Sequence, residues 1–298
     1  MSAVAATASP VVAARAGVLR RFTAHPLALF GFITVAALCM SALFATSIAP
    51  HDPLLLDTSR RFLAPFARDS FLLGTDELGR DTLSRLLHGG RISLTVGLVA
   101  MVTTIFTGSL IGLTAGYIGG WVDTVLMRFV DTMLCFPQVF LLLVVAAFVP
   151  PSLISISMII GLTSWMEVAR IVRSEILHLK EQDFVQAARA LGASRTRIMF
   201  QELLPNIAAP LLVAATLKVA SAVLVESYIS YLGYGVQPPL ASWGNMLTNA
   251  QEVIGTAPML AVWPGLLILL TVASCNLLGD ALQAHLDPRR RSETALRR

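Results

Sequence analysis

The sequence predicts an all-α membrane protein with six transmembrane helices. Of its 298 residues, 55% are hydrophobic and 13% are charged, whereas soluble domains carry about 25% charged residues. The charges are also clustered, so that long stretches of the chain carry none. Because so few charges cannot cover the surface of a soluble fold of this length, lipid must solvate much of the chain.

Six segments with little or no charge are long enough to cross a bilayer, whose hydrocarbon core takes about 20 residues of helix. Each must be helical, because its backbone groups find no water in lipid. The first follows Arg15, Arg20 and Arg21, but its apolar run is too long for a signal peptide, which predicts a retained anchor. The predicted spans are 27–48, 92–117, 132–149, 152–169, 204–229 and a helix within 253–278.

Lysine and arginine counts orient these spans. Fifteen Lys and Arg residues lie in the two tails, in the 119–130 turn and in a polar loop at 170–205. On the other side of the membrane lie six arginines, all in the 50–91 segment, which also contains six Asp or Glu residues. The positive-inside rule therefore places both termini and the 170–205 loop in the cytoplasm. The predicted organisation is an N-terminal tail (1–26), a first transmembrane helix (27–49), an extracytoplasmic connection (50–91), a core of five transmembrane helices (92–280) that includes an outer loop (231–258), and a C-terminal tail (281–298).

No pattern in the sequence indicates catalysis or a metal site. Cys39, Cys135 and Cys275 lie far apart in apolar runs without CxxC spacing, which predicts packing residues. All five histidines lie outside the spans, which argues against an intramembrane hydrolase. Lys180 and Lys218, the only lysines, do not follow a glycine, so a phosphate-binding P-loop is missing. We therefore predict no catalytic residue, no metal ligand, no cofactor in this chain and, because its basic residues follow membrane topology, no nucleic-acid partner.

The 170–205 loop carries the most informative local pattern. Asp183 is suited to cap a short helix, and Gly192 falls where that helix needs a left-handed closing residue. Ser194 is suited to cap a second helix that ends just before Pro205. Ala187 and Ala188 expose little side chain, so another protein could approach the backbone closely. The alternative is an amphipathic loop that lies on lipid headgroups.

The segment QAARALGASRTRIMFQELLPN (186–206) resembles the loop signature of permeases from binding-protein-dependent ATP-binding-cassette (ABC) importers. The matching positions are Gln186-Ala187-Ala188, Gly192 and Leu204-Pro205. Two positions depart from the signature, since Gln186 replaces the usual Glu and Glu202 stands where Ile is common. In that family the short helix is a coupling helix seated in a groove of the ATPase subunit, which assigns this role to Asp183, Gln186, Ala187, Ala188, Gly192 and Pro205.

Three further segments resemble the dipeptide, oligopeptide and nickel permeases, specifically their shorter, C-type subunit. They are LLGTDELGRDTLSRLLHGGRISL (72–94), ESYISYLGYGVQPPLASWGNML (226–247) and PGLLILLTVASCNLLGDALQAHLDPR (264–289). With the loop signature, the resemblance covers roughly residues 27–290. It implies the type I ABC importer permease fold in the bacterial cytoplasmic (inner) membrane.

The resemblance also implies a function and partners. The chain would form half of the translocation pathway for peptides, paired with a homologous B-type permease, two ATPase subunits or domains that bind ATP and Mg, and an extracytoplasmic solute-binding protein. A nickel or other metal chelate is the alternative solute. A self-sufficient secondary transporter is a different class, for which we find no internal inverted repeats.

Two charges in the fifth predicted span, Lys218 and Glu226, are unusual at membrane depth. Their separation of eight residues corresponds to about 12 Å along a helix, too far for a direct pair. Lys218 either lines the passage or bonds an acid of another subunit, whereas Glu226 is expected to anchor the outer loop. That loop, with Trp243 and Asn245, either dips toward the pore mouth or places Trp243 as a passive anchor at the interface.

Four glycines recur every four residues in the second predicted span: Gly108, Gly112, Gly116 and Gly120. On a helix they form a smooth ridge against which another helix can pack backbone to backbone. The ridge is either a static packing surface or a sliding or dimer surface.

Overall fold

A computed structural model describes residues 26–67 and 71–286. The predicted N-terminal tail lies outside the described residues except for Pro26, and only 281–286 of the predicted C-terminal tail is described. The described residues form helices, turns and irregular segments, with one isolated antiparallel bridge between Thr75 and Asp81.

Among the described residues, ten helices contain eight residues or more. They are α1 (Pro26–Leu43), α2 (Thr82–Ile118), α3 (Gly120–Leu134), α4 (Gln138–Phe148), α5 (Leu153–Leu162), α6 (Trp165–Leu179), α7 (Asp183–Ala190), α8 (Ala208–Tyr231), α9 (Trp243–Glu252) and α10 (Met259–Leu286). Shorter helical pieces are Ala45–Ile48, the 3₁₀ turn Thr58–Arg60 and three adjoining segments, Arg195–Arg197, the π-helical Ile198–Leu203 and Leu204–Asn206.

Six membrane spans can be formed from these helices. Four helices, α1, α2, α8 and α10, are each long and apolar enough to cross a bilayer. Two bent pairs, α3 with α4 and α5 with α6, pass the same test when each pair is taken together. The prediction of an all-α membrane protein with six spans is therefore confirmed, although two of the six are broken rather than straight.

The helix that contains the second span starts ten residues before the predicted span. The sequence places its start at Ile92, but α2 begins at Thr82, because the Asp81 carboxylate caps it by accepting a hydrogen bond from the Ser84 amide at 2.9 Å. Two arginines lie in these additional turns: Arg85 is buried and lies 3.3 Å from the Asp76 carboxylate, whereas Arg91, directly before the predicted span, is exposed. The predicted 50–91 connection therefore ends at Asp81.

The third and fourth spans are broken where the local sequence disfavours a helix. The α3–α4 pair bends by 89° at residues 135–137, and Pro137 explains the break, since proline disfavours a helical conformation in the residue before it. The α5–α6 pair bends by 44° at Thr163 and Ser164, whose hydroxyls donate to carbonyls one turn earlier. Such back-bonding often bends helices.

The predicted 170–205 loop is shorter than expected, because its first ten residues belong to α6. Arg170 donates a hydrogen bond to Asp131, and Arg173 donates two to Asp123. Both acids lie on α3, so a neighbouring helix neutralises the charges that indicated a loop.

The ends of the fifth and sixth spans also shift. A separate helical segment, Leu204–Asn206, precedes α8, which begins at Ala208 instead of the predicted 204. The sixth span, α10, runs from Met259 to Leu286, later than the predicted 253–278. The predicted outer loop (231–258) is partly helical, since it contains α9.

The longest helix, α2, lies at the centre of the bundle. It packs against α1, α5, α6 and α8, while α10 packs against α8 and α1. One apolar cluster joins α2, α5 and α8 around Val96 and Ile160. A second cluster, around Leu113 and Val172, joins α2 and α6 to the 183–207 segment. We call the end of the bundle that carries α7 the loop end, and the end that carries α9 the far end.

The glycine ridge of α2 is occupied by a helix of the same chain. A Cβ atom added at Gly108, Gly112 or Gly116 would lie between 2.4 and 2.9 Å from atoms of α6. Gly120 is not part of this contact: it has a φ of +57°, starts α3 and would meet nothing within 4 Å. The ridge is therefore a packing surface within the chain and not a dimer surface.

Candidate functional site: the coupling loop and the outer loop

The predicted helix–glycine–helix pattern of the loop is present. Gly192 has a φ of +78°, the left-handed conformation that glycine adopts without steric cost. The Gly192 amide donates to the Arg189 carbonyl and the Ala193 amide to the Ala188 carbonyl, each at 3.0 Å. These two bonds form a Schellman motif, which satisfies the free carbonyls at the end of α7.

Of the two helix caps predicted in this loop, the structure contains one and lacks the other. Ser194 caps the second helix as predicted, with its Oγ accepting a hydrogen bond from the Arg197 amide at 3.3 Å. The expected cap by Asp183 is wrong: Asp183 is the first residue of α7, and Gln182 occupies the cap position without a side-chain hydrogen bond. At the first turn, the Asp183 carboxylate instead interacts favourably with the helix dipole.

Two contacts from α7, and one from the residue that ends α6, fix this loop to the transmembrane helices. Val185 is fully buried in the apolar cluster formed with α2 and α6. The Lys180 Nζ donates a hydrogen bond to the Gly116 carbonyl at 3.1 Å, and the Arg189 guanidinium lies 5.5 Å from the centre of the Tyr117 ring. Gly116 and Tyr117 belong to the last turn of α2, so a displacement of α7 must move the loop ends of α2 and α6.

The opposite face of α7 is open. Gln186 and Ala187 are exposed, whereas Ala188 is half-buried and packs against the apolar cluster. Beyond the helix, Leu191 is 88% exposed. Pro205 is also exposed, in the segment Leu204–Asn206. The surface that a partner could reach therefore includes Ala187 and Leu191 rather than Ala188.

Lys218 has a partner in its own chain. Its Nζ lies 2.5 Å from the Oε2 of Glu167, in the first turn of α6. The sequence left two roles open for Lys218, and neither included this pair. The available signal was Glu167, a charge within the fourth predicted span (152–169), since a lysine and a glutamate in neighbouring spans tend to pair at membrane depth.

Glu226 connects α8 to α2 and to the outer loop. It is fully buried, and its carboxylate accepts hydrogen bonds from the Ser93 hydroxyl at 3.0 Å and the Ser230 hydroxyl at 2.7 Å. The two serine hydroxyls in turn accept from the amides of Trp243 and Val236 in the outer loop, each at 3.2 Å. This geometry agrees with the expected anchoring role, through two serines that the sequence alone did not single out.

Trp243 and Asn245 support the outer loop from inside the protein. Trp243 is 2% exposed, its indole N–H donates to the Leu86 carbonyl at 3.0 Å, and its ring lies against Gly90. A role as an aromatic anchor in the headgroup region does not fit this burial. The Asn245 side chain bonds three backbone groups, those of Val236, Leu240 and Ser242. Both residues therefore fix the conformation of the loop around α9.

A buried ionic cluster at the far end was missed by sequence reasoning. The Asp76 carboxylate lies 2.7 Å from Nε of Arg80 and 3.3 Å from Nε of Arg85, and all three side chains are less than 10% exposed. Gly74 and Gly79 have positive φ values, and each packs against the backbone of the 57–65 segment. The signal was the GTDELGRDT run (74–82), whose charges we assigned to a polar connection.

The described residues contain no group of three or more His, Cys, Asp or Glu side chains placed to hold a metal ion. The functional features that the fold presents are instead an anchored helix with an open face, α7, and an outer loop fixed to the transmembrane helices.

Comparisons with known proteins identify this arrangement. The family described as binding-protein-dependent transport system inner membrane component matches residues 108–292. The chain belongs to this family. Residues 15–65 match the N-terminal transmembrane domain of oligopeptide transport permease C. This membrane permease therefore has the type I ABC permease fold and is an integral inner-membrane transport subunit.

Several relatives resemble the permease over almost its whole length. The dipeptide transport system permease protein DppC of Alkalihalophilus pseudofirmus is 36% identical over 90% of this chain and 88% of the relative. The di/tripeptide transport system permease protein DppC of Pseudomonas aeruginosa is 41% identical over 88% of each chain. The oligopeptide transport system permease protein OppC of Bacillus subtilis is 34% identical over 91% of this chain and 88% of the relative. The predicted resemblance to the C-type peptide permeases is confirmed.

Proposed function

We propose that this permease forms half of the translocation pathway of an ATP-driven importer for peptides. Its partners in the proposal are a B-type permease, two ATPase subunits or domains that bind ATP and Mg, and an extracytoplasmic solute-binding protein. The relatives named as dipeptide, di/tripeptide and oligopeptide permeases support a peptide as the solute. The chain itself performs no covalent chemistry in this proposal.

The proposed orientation places both termini and the loop end in the cytoplasm, and α9 and the 50–81 segment outside. The distribution of Lys and Arg supports it. In this orientation α7 faces the ATPases, while the outer loop and the segment that surrounds the Asp76 cluster face the solute-binding protein.

The observation that carries the proposal is the attachment of α7 to the transmembrane helices. Val185 and Arg189 connect it to the loop ends of α2 and α6, and its other face is open. Lys180, which ends α6, joins that helix to α2 just before α7 begins. Because these contacts are close, ATPase closure that shifts α7 also tilts α2 and α6. The permease then alternates between inward-open and outward-open states, and the docked binding protein releases its solute into the passage.

The test alters the open face of α7 without disturbing its buried face. Ala187→Arg adds a long charged side chain at an exposed position. We expect normal assembly with the B-type permease but loss of ATPase binding and of ATP-driven uptake, measured by co-purification and in proteoliposomes. Ala284→Arg, the same change at an exposed position of α10, is the control and should leave both intact. Full uptake by Ala187→Arg would show that α7 does not couple.

The solute is tested with the complete importer and its binding protein. Uptake of labelled di- and oligopeptides should require ATP, and unlabelled peptide should compete with it. If a nickel chelate competes and peptides do not, the chain serves the metal-chelate branch of the family. Uptake by this chain alone, without ATP or ATPase, would instead establish a secondary transporter.

A further inference from the structure

The Lys218–Glu167 pair lies deep in a membrane span. Lys218 is separated from the start of α8, Ala208, by ten residues, or about 15 Å of helix. The hydrocarbon core of a bilayer is about 30 Å thick. Both ends of α8 are therefore far from Lys218, and Glu167 is at the same depth because the two side chains are in contact.

The two members of the pair differ in exposure. The Lys218 side chain is 15% exposed, whereas that of Glu167 is 67% exposed. An exposed carboxylate at this depth is costly in lipid, and intramembrane charges nearly always face a water-filled cavity or a partner. The Glu167 side of the pair therefore does not face hydrocarbon.

The polar surface continues along α6 and onto α8. One turn after Glu167, Arg170 is 52% exposed and pairs with Asp131, which is 43% exposed. Ser174, a further turn along α6, and Ser221, one turn after Lys218 on α8, are also exposed. We call this surface the polar stripe; its members are Asp131, Glu167, Arg170, Ser174, Lys218 and Ser221.

The opposite face of α6 is apolar and fully packed. Val168, Val172 and Ile176 are buried against α2. The helix therefore has a fixed rotation, and the polar stripe cannot turn inward to escape lipid. An amphipathic helix within a span needs a polar environment on its second face.

We propose that the polar stripe lines the water-filled passage of the assembled importer, with Glu167 and Lys218 as a site for the charged ends of a zwitterionic solute. The exposed Glu167 carboxylate can pair with a passing ammonium group, and Lys218 beside it can pair with a carboxylate. Two opposite charges side by side match a solute that carries both. This inference rests on the proposed importer function and adds the residues that the solute meets.

The first experiment measures access of water to the polar stripe and does not depend on the identity of the solute. Cys39, Cys135 and Cys275 are replaced by serine, and Glu167→Cys and Ser221→Cys are introduced singly into the complete importer in proteoliposomes. A cationic methanethiosulfonate reagent should modify both about tenfold or more faster than controls, because the reaction needs a hydrated thiolate.

The controls are Phe106→Cys and Leu269→Cys, at positions that are 68% and 63% exposed on apolar parts of α2 and α10. They face lipid or an apolar partner and should react slowly. Modification of the stripe positions at the control rate would overturn the proposal. Reaction in the isolated permease that disappears on assembly with the B-type subunit would also overturn it, and would make the stripe a subunit contact.

The second experiment tests the site for the solute. Glu167→Gln and Lys218→Met should each lower peptide uptake about tenfold, as expected for the loss of one hydrogen bond to a charged group, with assembly and ATP hydrolysis unchanged. The charge-swapped double variant, Glu167→Lys with Lys218→Glu, should recover part of the uptake. Unchanged uptake in both single variants would refute the solute site, whereas wild-type importer that carries no peptide would refute the proposed function alone.

Discussion

Ser93 on α2 donates a hydrogen bond to the fully buried carboxylate of Glu226 on α8, across 133 positions of sequence. The same serine accepts a hydrogen bond from the Trp243 amide at the start of α9. One hydroxyl thus connects two transmembrane helices and the outer loop. A buried network in which every group has a partner specifies one arrangement of its elements, because each alternative arrangement leaves a polar group unpaired.

Glu226→Leu should destabilise the permease. It leaves the hydroxyls of Ser93 and Ser230 without their acceptor, at a cost of about 1–3 kcal/mol for each unsatisfied buried group. Thermal unfolding of the detergent-solubilised permease measures the loss. Glu226→Gln, which still accepts one hydrogen bond and donates another, is the control and should lose clearly less. Equal stability of the Leu variant and the parent would contradict the network.

Gly112→Ala should weaken the packing of α2 on α6. The added Cβ would lie 2.4 Å from the Ala169 carbonyl oxygen, a backbone atom that cannot rotate away. Overpacking of this kind costs about 1–3 kcal/mol. The midpoint of thermal unfolding and the yield of folded protein report it.

The matched control for this change is Gly265→Ala on α10, where an added Cβ meets nothing within 4 Å. Alanine is the better helix former there, by about 1 kcal/mol. We therefore expect the control to be neutral or stabilising. If both substitutions had the same effect, the close approach of α2 and α6 would not matter to stability.

Gly192→Ala should impair coupling more than folding. Alanine in the left-handed conformation costs roughly 1–2 kcal/mol, and this cost falls on the turn that closes α7. We expect fewer solute molecules carried for each ATP hydrolysed, while the transmembrane helices unfold at the parent temperature. Gly192→Asn, which tolerates the same conformation, should be milder.

Gly255→Ala provides a second control for the turn, because nothing lies near its Cβ and its backbone is not in the left-handed region. The number of solute molecules that this variant carries for each ATP hydrolysed should match that of the parent. If Gly255→Ala impaired coupling as much as Gly192→Ala, the effect would come from the loss of any glycine and not from the left-handed turn.

Asp76→Leu should strongly destabilise the far end of the bundle. It leaves the buried Arg85 guanidinium without its carboxylate partner, while Arg80 keeps only its contact with Glu77. Removing one partner of a buried ion pair costs about 3–5 kcal/mol. Proteolysis of the 50–85 segment should become faster, together with a lower unfolding temperature.

The surface pair Arg60–Asp57 is the control for this prediction, since its side chains are 45% and 34% exposed, against less than 10% in the Asp76 cluster. Asp57→Asn keeps the oxygen that accepts from Ser59 and should leave unfolding and proteolysis close to the parent. An effect of Asp76→Leu no larger than that of Asp57→Asn would mean that the buried cluster is dispensable.

Span positions and the helix–glycine–helix pattern of the loop could be predicted from sequence, but the bounds of the helices could not. Gly192 and Ser194 were predicted correctly, because a helix stop and a helix cap depend on neighbouring residues. The helix α2 starts ten residues before the predicted span, because its first turns carry charges that a search for uncharged runs excludes: Arg85, which is buried beside Asp76, and Arg91, which is exposed. A charge counts against a span only when nothing nearby neutralises it.

The sequence by itself determined that six apolar segments cross a membrane and that a glycine-closed helix follows the fourth, since hydropathy and turn chemistry act over a few residues. Only the tertiary structure decided that Lys218 pairs with Glu167, that Glu226 bonds Ser93 and that the glycine ridge of α2 packs on α6. Each of these depends on which helices are neighbours and how each is rotated about its axis. Side chains far apart in sequence settle that rotation by packing together, and no local pattern encodes it.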